Sequence, residues 1–320
     1  MRFLMKFIWA LVLVVSGCVF TGSPGHIKKL SSESNLRFVF ITTCAESKFF
    51  EPLKKGMNDA ADMLGVHCSF MGTKGVDIKA QVNMVHQAIE SGYDGIALNI
   101  IDPAAFDAVV QEAMDHDIPV VAFNVDDHAT ANARLSAVCQ QLYQAGRTLG
   151  KRALTYIPKS SHVLITMHDK GVSALQDRVR GICDVLKTKN ITWTVMVTGT
   201  SAEKSAAAIT SKLKADPDIR HILCTGQADT EGAGLAVKES FTGYTVAGFD
   251  MSTGTLDMIK EGIIGFTIDQ QPYVQGFYPV IQLTQYCRFG IVPANMDAGA
   301  GIIDKDNVDQ VIELCKMGYR

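Results

Sequence analysis

Short apolar runs alternate with amphipathic helical segments along most of this chain, and no other feature limits its possible folds as strongly. Short runs of this kind are typical of strands that are buried on both faces. Apolar residues between the runs recur at helical spacing, as Leu53, Met57 and Leu64 do. The alternation of strand and helix predicts a parallel sheet with helices on both sides. In the first half of the chain the predicted strands occupy residues 36–42, 66–71, 95–100 and 118–123.

The same alternation starts again in the second half. The first strand there precedes a predicted helix with an apolar stripe of Leu175, Val179, Ile182 and Leu186. A length of 320 residues suits two domains of roughly 100–150 residues each. The predicted fold class is therefore α/β, with two doubly wound parallel-sheet domains. The later predicted strands occupy residues 162–166, 192–197, 221–225, 244–249 and 263–268.

Composition excludes several classes of protein. Hydrophobic residues make up 47% and charged residues 20% of the chain, which indicates a globular body rather than a disordered one. The formal charge of −3 predicts no basic face and argues against nucleic acid as a partner. The 8 cysteines include no C-x-x-C pair, so we expect no zinc site. We also expect no cofactor. Neither a P-loop nor a G-x-S-x-G or H-E-x-x-H motif is present.

The N-terminal segment has the pattern of an export signal. Arg2 and Lys6 precede an apolar run over residues 7–15, which is too short to span a bilayer. The following VVSGC resembles the lipobox of bacterial lipoproteins. This predicts a signal peptide over residues 1–17, lipid attachment at Cys18 and a flexible tether over 18–35. The alternative is a plain signal peptide that is cleaved near Gly17 or Ser23.

Polar and aromatic side chains follow the predicted strands. In open parallel sheets, ligands bind beyond the carboxyl ends of the strands, so these residues are the candidates for a site. They combine amides, carboxylates, one arginine and two aromatic rings, the mixture that suits the hydroxyls and the apolar ring face of a sugar. The candidates are Phe49, Phe50, Asn124, Asp126, Arg178, Asp250 and Gln270, with Asn99 and Gln227 as weaker ones.

Several candidates also have a structural interpretation. One of the two phenylalanines can belong to the core, Asn99 can close its own loop, and Arg178 can form a surface ion pair. Aspartates that follow strands often cap helices or form turns. The joint placement of these residues, rather than any single one, therefore favours a ligand site.

Several stretches resemble the type I periplasmic binding proteins for simple sugars, the ribose- and galactose-binding group that serves ABC importers. The likeness runs from about Leu36 to Val308. SKFFEPLKKGMNDAADMLG resembles the family's first loop and helix, and QDRVRGI resembles the helix with its sugar-binding arginine. The stretches ALNIIDPAAF, IPVVAFNVDD, GFD, TIDQQPYVQGFYPV and DAGAGIIDKDNVD extend the resemblance along the chain.

The resemblance implies ring packing on Phe49 and Phe50, and ligand contacts at Asn124, Arg178, Asp250 and Gln270, with Asp126 matched more loosely. The family fold crosses between its lobes three times, here near residues 135–138, 269–270 and 294–297. This predicts an N-terminal lobe of residues 36–136 and 270–295, and a C-terminal lobe of residues 137–269 and 296–320. The stretch VTGTSAEKSAA lacks the second stacking aromatic of many members, and Ala228 stands where an Asn-Asp pair is common.

The resemblance further implies an exported, lipid-anchored monomer that captures a monosaccharide or sugar alcohol between its lobes and delivers it to the membrane permease of an ABC importer. The location is then the periplasm or the cell surface, with membrane contact only through the N-terminal lipid. The alternatives are a carrier of a furanosyl autoinducer or nucleoside, and a sensor that serves a chemoreceptor.

Two other functional classes fit the sequence less well. A glycosidase would need Asp126 and Asp250 as acid and base, but neither lies in an evident apolar pocket that would raise its pKa. A lactose-repressor type of regulator shares the fold but needs an N-terminal helix-turn-helix, where this chain has an export signal. We therefore expect a binding protein and not an enzyme.

Overall fold

A computed structural model describes residues 35–102, 104–126, 132–170, 173–240 and 242–320. The predicted signal peptide and Cys18 lie outside these residues. The chain begins with β1 (Arg37–Thr42), α1 (Phe50–Leu64), β2 (His67–Gly72), α2 (Ile78–Glu90), β3 (Gly95–Leu98), α3 (Asp107–Asp115), β4 (Val120–Asn124) and β5 (Ser136–Cys139). It continues with α4 (Leu142–Ala153), β6 (His162–Met167), α5 (Ser173–Leu186), β7 (Thr192–Val197), α6 (Ala202–Ala215), β8 (His221–Cys224), α7 (Gln227–Ser240), β9 (Thr245–Phe249), α8 (Thr253–Lys260) and β10 (Phe266–Asp269). It ends with α9 (Pro272–Phe289), β11 (Met296–Asp297), β12 (Gly301–Asp304) and α10 (Val308–Lys316).

The described strands form two sheets with corresponding strand orders. The first sheet has the order β2-β1-β3-β4-β5-β11, and the second has the order β7-β6-β8-β9-β10-β12. All pairs are parallel except β10 with β12. The predicted α/β class with two doubly wound domains is confirmed. In each sheet the strand order reverses direction between the first and third strands, which is where such folds place a ligand.

The central strands are buried on both faces, as their continuous apolar runs predict. In β1, Val39 and Ile41 belong to a core cluster shared with α2 and α3. Phe38 and Phe40 point to the opposite face, into a cluster with Leu53 of α1 and residues of α9. Each lobe is thus a three-layer sandwich. Because helices cover both faces of the sheet, polar side chains are placed at its carboxyl edge.

Helix α9 follows the second sheet's β10 but packs on the first lobe. It lies against α1, β3, β4 and β5. Gly56 of α1 and Gly276 of α9 allow the two helices to touch, because a Cβ on either would overlap a backbone carbonyl of the other helix. This close packing anchors the start of α1, with its two phenylalanines, to the first lobe.

The chain crosses between the lobes three times. The crossings follow β5, β10 and β11, because β5 and β11 pair in the first sheet while β12 pairs in the second. The first and third crossings therefore lie a few residues later than the predicted boundaries at residues 136 and 295. Strand β5 is only four residues long and follows a polar segment, so its sequence does not distinguish it from a linker.

Glutamine side chains join the crossing segments to one another. The Nε2 of Gln140 donates to the carbonyl oxygen of Gly299 at 2.8 Å. The Nε2 of Gln271 donates to the carbonyl oxygen of Ala298 at 2.7 Å. These bonds link all three crossing segments into one connected hinge.

Asp102 precedes α3 and lies in the turn that leads to that helix. The carboxylate of Asp102 accepts hydrogen bonds from the backbone N–H groups of Ala104 and Ala105 at 3.1 and 2.9 Å. It thereby closes a turn, and α3 begins only at Asp107. Among the described helices, none is both long and apolar enough to cross a bilayer.

Candidate functional site

A cleft of about 780 Å³ lies between the carboxyl edges of the two sheets. It is lined by residues from both lobes, and it has room for a ligand the size of a monosaccharide. Eight of the nine predicted side chains line it, namely Phe49, Phe50, Asn99, Asn124, Arg178, Gln227, Asp250 and Gln270. Asp126 is the exception.

The two phenylalanines at the start of α1 differ in burial. Phe50 is 5% exposed and belongs to the core of the first lobe, where its ring packs against Phe70 with centroids 5.6 Å apart. Phe49 is half-buried, and its ring meets that of Phe50 edge to face at 5.1 Å. Phe50 thus holds Phe49 at the cleft wall, where an apolar ring face can cover a ligand.

Asn124 and Asp250 occupy equivalent positions in the two lobes. Asn124 ends β4 and Asp250 directly follows β9, the fourth strand of each lobe. Both have left-handed backbone conformations, with φ of +64° and +67°. Asparagine and aspartate tolerate this region better than other residues with a side chain. The resulting bend ends each strand and places a polar side chain in the cleft.

Arg178 is fixed on α5 by a set of buried contacts. Its Nη1 donates to the carbonyl oxygen of Thr225 at 2.8 Å. Its Nε and Nη2 both donate to Oε1 of Gln140, at 3.2 and 2.7 Å. The guanidinium also lies over the ring of Phe249, with its carbon 4.0 Å from the centroid. The side chain is therefore held in one orientation before any ligand arrives.

Arg178 and Asp250 form a loose charge pair inside the cleft. Nη1 of Arg178 lies 3.9 Å from Oδ2 of Asp250. Burial raises the pKa of Asp250, and the charge of Arg178 and the hydrogen bond from Gln270 oppose this shift in part. Burial also lowers the pKa of Arg178, although a guanidinium keeps its charge. The separation leaves room for ligand hydroxyls to bond to both groups.

Gln270 lies at the second crossing and connects the two lobes. Its Nε2 donates to Oδ1 of Asp250 in the second lobe. In the first lobe, Nδ2 of Asn124 donates to Oε1 of Gln275 at 3.1 Å, and Nε2 of Gln275 donates to the carbonyl oxygen of Gln270 at 2.6 Å. Asn124 and Asp250 are thus part of one hydrogen-bonded chain through the hinge.

The two weaker candidates line the cleft with amides that are already bonded. Nδ2 of Asn99 donates to Oγ1 of Thr42 at 2.8 Å, and its Oδ1 accepts from the backbone N–H of Val125 at 3.2 Å. Nε2 of Gln227 donates to the carbonyl oxygen of Met251 at 2.6 Å. Asn99 therefore ties the ends of β1 and β4 to the end of β3, which differs from the loop closure considered for it from the sequence.

Asp126 does not line the cleft, contrary to the prediction. Its carboxylate is 1% exposed and pairs with Arg134, whose Nε lies 2.5 Å from Oδ1. Asp126 lies two residues beyond Asn124, and the segment turns its side chain toward Arg134 instead of the cleft. The carboxylate pair required for a glycosidase is therefore not formed by Asp126 and Asp250.

The sequence interpretation missed two kinds of residue. The first kind supports the ligand-facing residues: Gln140 bonds to Arg178, and Gln275 bonds to Asn124. Gln140 follows β5, which the sequence did not identify as a strand, and Gln275 lies inside helix α9. Neither residue therefore follows a predicted strand. His168 lines the cleft directly after β6, and its strand-end position was a usable signal. Among the described residues, no group of three or more His, Cys, Asp or Glu side chains is placed to hold a metal ion.

The arrangement provides both donors and acceptors around an apolar wall. Arg178 and the amides donate, Asp250 and the amide oxygens accept, and Phe49 supplies a ring face. The charges of Arg178 and Asp250 balance each other, so the cleft suits an uncharged ligand with several hydroxyl groups.

Known proteins are similar to this chain in sequence and in fold. Residues 38–290 match the family model described as periplasmic binding protein domain. The xylose/arabinose-binding protein XylF of Sulfolobus acidocaldarius is 32% identical over 289 residues, which cover 85% of this chain and 72% of that protein. The ribose import binding protein RbsB of Bacillus subtilis is 25% identical over 228 residues, or 71% of this chain and 74% of that protein.

One solved structure is similar over nearly the whole chain. It is a carbohydrate transporter from Acidothermus cellulolyticus 11B in complex with myo-inositol, with a TM-score of 0.81 and 28% sequence identity. The match covers 90% of this chain and 100% of the other.

Proposed function

Because the chain belongs to the periplasmic binding protein domain family, we propose that it captures a monosaccharide or sugar alcohol in the cleft between its lobes. It is a binding protein and not an enzyme. One observation carries the proposal: Phe50, Asn124, Arg178, Asp250 and Gln270, which are far apart in the sequence, line a single cleft. The names of the relatives support it, since they denote proteins that bind xylose, arabinose or ribose, or are solved with myo-inositol.

The cleft has enough polar groups to bind a sugar with useful affinity. Micromolar binding requires roughly −8 kcal/mol, or ~0.7 kcal/mol per atom for a ligand of about 12 heavy atoms, which is below the ceiling for small ligands. Hydrogen bonds to charged groups contribute ~1.5–3 kcal/mol each. A few bonds to Arg178 and Asp250, together with the apolar face of Phe49, can therefore account for this affinity.

The family also supports a proposal for the wider role. We propose that the protein is exported, is anchored through lipid on Cys18, acts as a monomer and delivers its ligand to the permease of an ABC importer. Three crossing segments allow the lobes to open and close around the ligand as hinged bodies. The hydrogen bonds between those segments are the contacts that such a motion would change.

Calorimetric titration with pentoses, hexoses, sugar alcohols and nucleosides tests the proposal. We expect the wild type to bind a sugar or sugar alcohol, and we expect Arg178→Ala and Asp250→Ala each to weaken binding tenfold or more. Arg180→Ala and Asp257→Ala are matched controls, because both side chains are exposed. Arg180 lies on α5 with Arg178, and Asp257 lies on α8, the helix that follows Asp250. Unchanged affinity in both cleft variants would reject the site, and preferential binding of nucleosides would favour the non-sugar alternative.

A further inference from the structure

His168 and Asp229 present two unsatisfied polar atoms to each other at the second-lobe wall of the cleft. Nδ1 of His168 lies 3.6 Å from Oδ1 of Asp229. Both atoms are buried, and neither has a hydrogen-bond partner among the described residues. The other carboxylate oxygen of Asp229 accepts from Oγ1 of Thr166 at 2.8 Å and from the backbone N–H of Thr225 at 2.9 Å. Only Oδ1 is therefore left to face the imidazole.

Gly226 confines the imidazole from the side. A Cβ at Gly226 would lie 2.6 Å from Nδ1 and 2.8 Å from Cε1 of His168. The ring therefore rests on the glycine backbone, and no larger residue fits at position 226 without moving it. The ring is held between Gly226 and Asp229, while 27% of the side chain remains exposed.

The chemistry of the pair determines which nitrogen of the imidazole carries the hydrogen. An ionised carboxylate can only accept hydrogen bonds, and a buried oxygen that lacks a donor is costly. The hydrogen of a neutral His168 is therefore favoured on Nδ1, where a shift of well under 1 Å would complete a bond to Asp229. In that tautomer Nε2 carries a lone pair and is an acceptor.

His168 also lies close to the other groups of the site. Burial raises the pKa of Asp250, while the charge of Arg178, the hydrogen bond from Gln270 and, when it is protonated, His168 oppose that shift. His168 and Asp250 both line the cleft. A ligand that fills the cleft can therefore contact both Asp250 and the imidazole.

We propose that His168 is a ligand-recognition residue, whose Nε2 accepts a hydrogen bond from a ligand hydroxyl near Asp250 while Asp229 acts as a positioning residue through Nδ1. This inference rests on the proposed capture of a sugar or sugar alcohol. It adds a specific acceptor to the site, and it predicts selectivity for the presence of one hydroxyl group.

Nitrogen NMR of the imidazole and calorimetry of variants test this inference together. In the ligand-free wild type we expect the Nδ1–H tautomer at His168, and we expect Asp229→Asn to shift the population toward Nε2–H. For a sugar bound by the wild type, His168→Leu should lower the affinity about 3- to 10-fold, the usual effect of one neutral hydrogen bond. His116→Leu, at an exposed histidine of the first lobe, is the matched control and should leave the affinity unchanged.

Deoxy analogues of the same sugar identify the hydroxyl involved. One analogue should bind the wild type more weakly by the same factor and should be insensitive to His168→Leu. An Nε2–H tautomer in the ligand-free protein, or unchanged sugar affinity in His168→Leu, would overturn this inference and leave the proposed function intact. A wild type that binds no sugar or sugar alcohol would overturn both. If Asp229→Asn fails to fold, the tautomer of His168 in the wild type and the sugar affinity of His168→Leu still test the inference.

Discussion

The guanidinium of Arg178 donates two hydrogen bonds to one oxygen, Oε1 of Gln140, from Nε at 3.2 Å and from Nη2 at 2.7 Å. Gln140 lies at the first crossing between the lobes and donates in turn to Gly299 at the third. The orientation of the cleft arginine is therefore tied to the conformation of the hinge. A change in the angle between the lobes can reach the binding site through this single amide.

We predict that Gln140→Ala weakens ligand binding about tenfold although Gln140 does not line the cleft. The substitution leaves Nε and Nη2 of a buried arginine without their acceptor, and bonds to charged groups contribute ~1.5–3 kcal/mol. Calorimetry with the best sugar ligand measures the effect. Gln141→Ala is the matched control, because that neighbouring side chain is exposed. Equal affinity in the two variants would show that Gln140 does not position Arg178.

Asp250→Asn should make the ligand-free protein more stable relative to wild type as pH rises from the ordinary aspartate pKa of 3.8 through the raised pKa of the folded state. Burial raises the pKa of Asp250 above its ordinary value of 3.8, so the folded state holds this proton more tightly than the unfolded chain does. Ionisation therefore costs the folded state free energy, and this cost appears as pH rises through the raised pKa. Urea unfolding of both proteins at several pH values measures the difference.

The same substitution should reduce sugar affinity about tenfold, because a charged acceptor becomes a neutral one. Asp257→Asn, at an exposed aspartate, should change neither property. Unfolding curves of wild type and Asp250→Asn that differ by a constant amount at every pH would contradict the raised pKa.

Substitution of Phe50 should mainly reduce stability, whereas substitution of Phe49 should mainly reduce ligand binding. Phe50→Ala should lower the free energy of unfolding by about 3–5 kcal/mol, because Phe50 is 5% exposed and its removal leaves a core cavity. Phe49→Ala should lower the free energy of unfolding by less than Phe50→Ala does. It should nevertheless weaken sugar binding, because it removes the apolar face at the cleft. Urea unfolding and calorimetry measure the two effects, with Phe289→Ala as a control at 62% exposure. Full sugar affinity in Phe49→Ala would exclude ring packing there.

Asp126→Asn should reduce stability without reducing affinity. Asp126 is paired with Arg134 away from the cleft, and weakening a buried charge pair costs on the order of 1–3 kcal/mol. Thermal unfolding should therefore shift while calorimetry gives the wild-type affinity within about twofold. Loss of affinity with unchanged stability would instead return Asp126 to the binding site.

Much of the architecture could be predicted from local patterns. The apolar run of β1 predicts a strand buried on both faces, and Phe38 to Ile41 are fully buried on alternate sides. The placement of Arg178, Asp250 and Gln270 at one edge follows from parallel topology, since all strand ends meet there. The short strand β5 could not be distinguished from a linker, because four residues carry too little pattern and its burial comes from its neighbours.

By itself, the sequence determined the order of strands and helices and the polar residues at the strand ends, because both depend on local spacing. Only the tertiary structure decided which of those residues face the cleft. Asp126 and Asp250 both lie near the end of a buried strand, yet one pairs with Arg134 and the other lies beside Arg178. The direction of a side chain depends on the backbone angle at its own residue and on the groups that the fold brings to it, and these groups are distant in the chain.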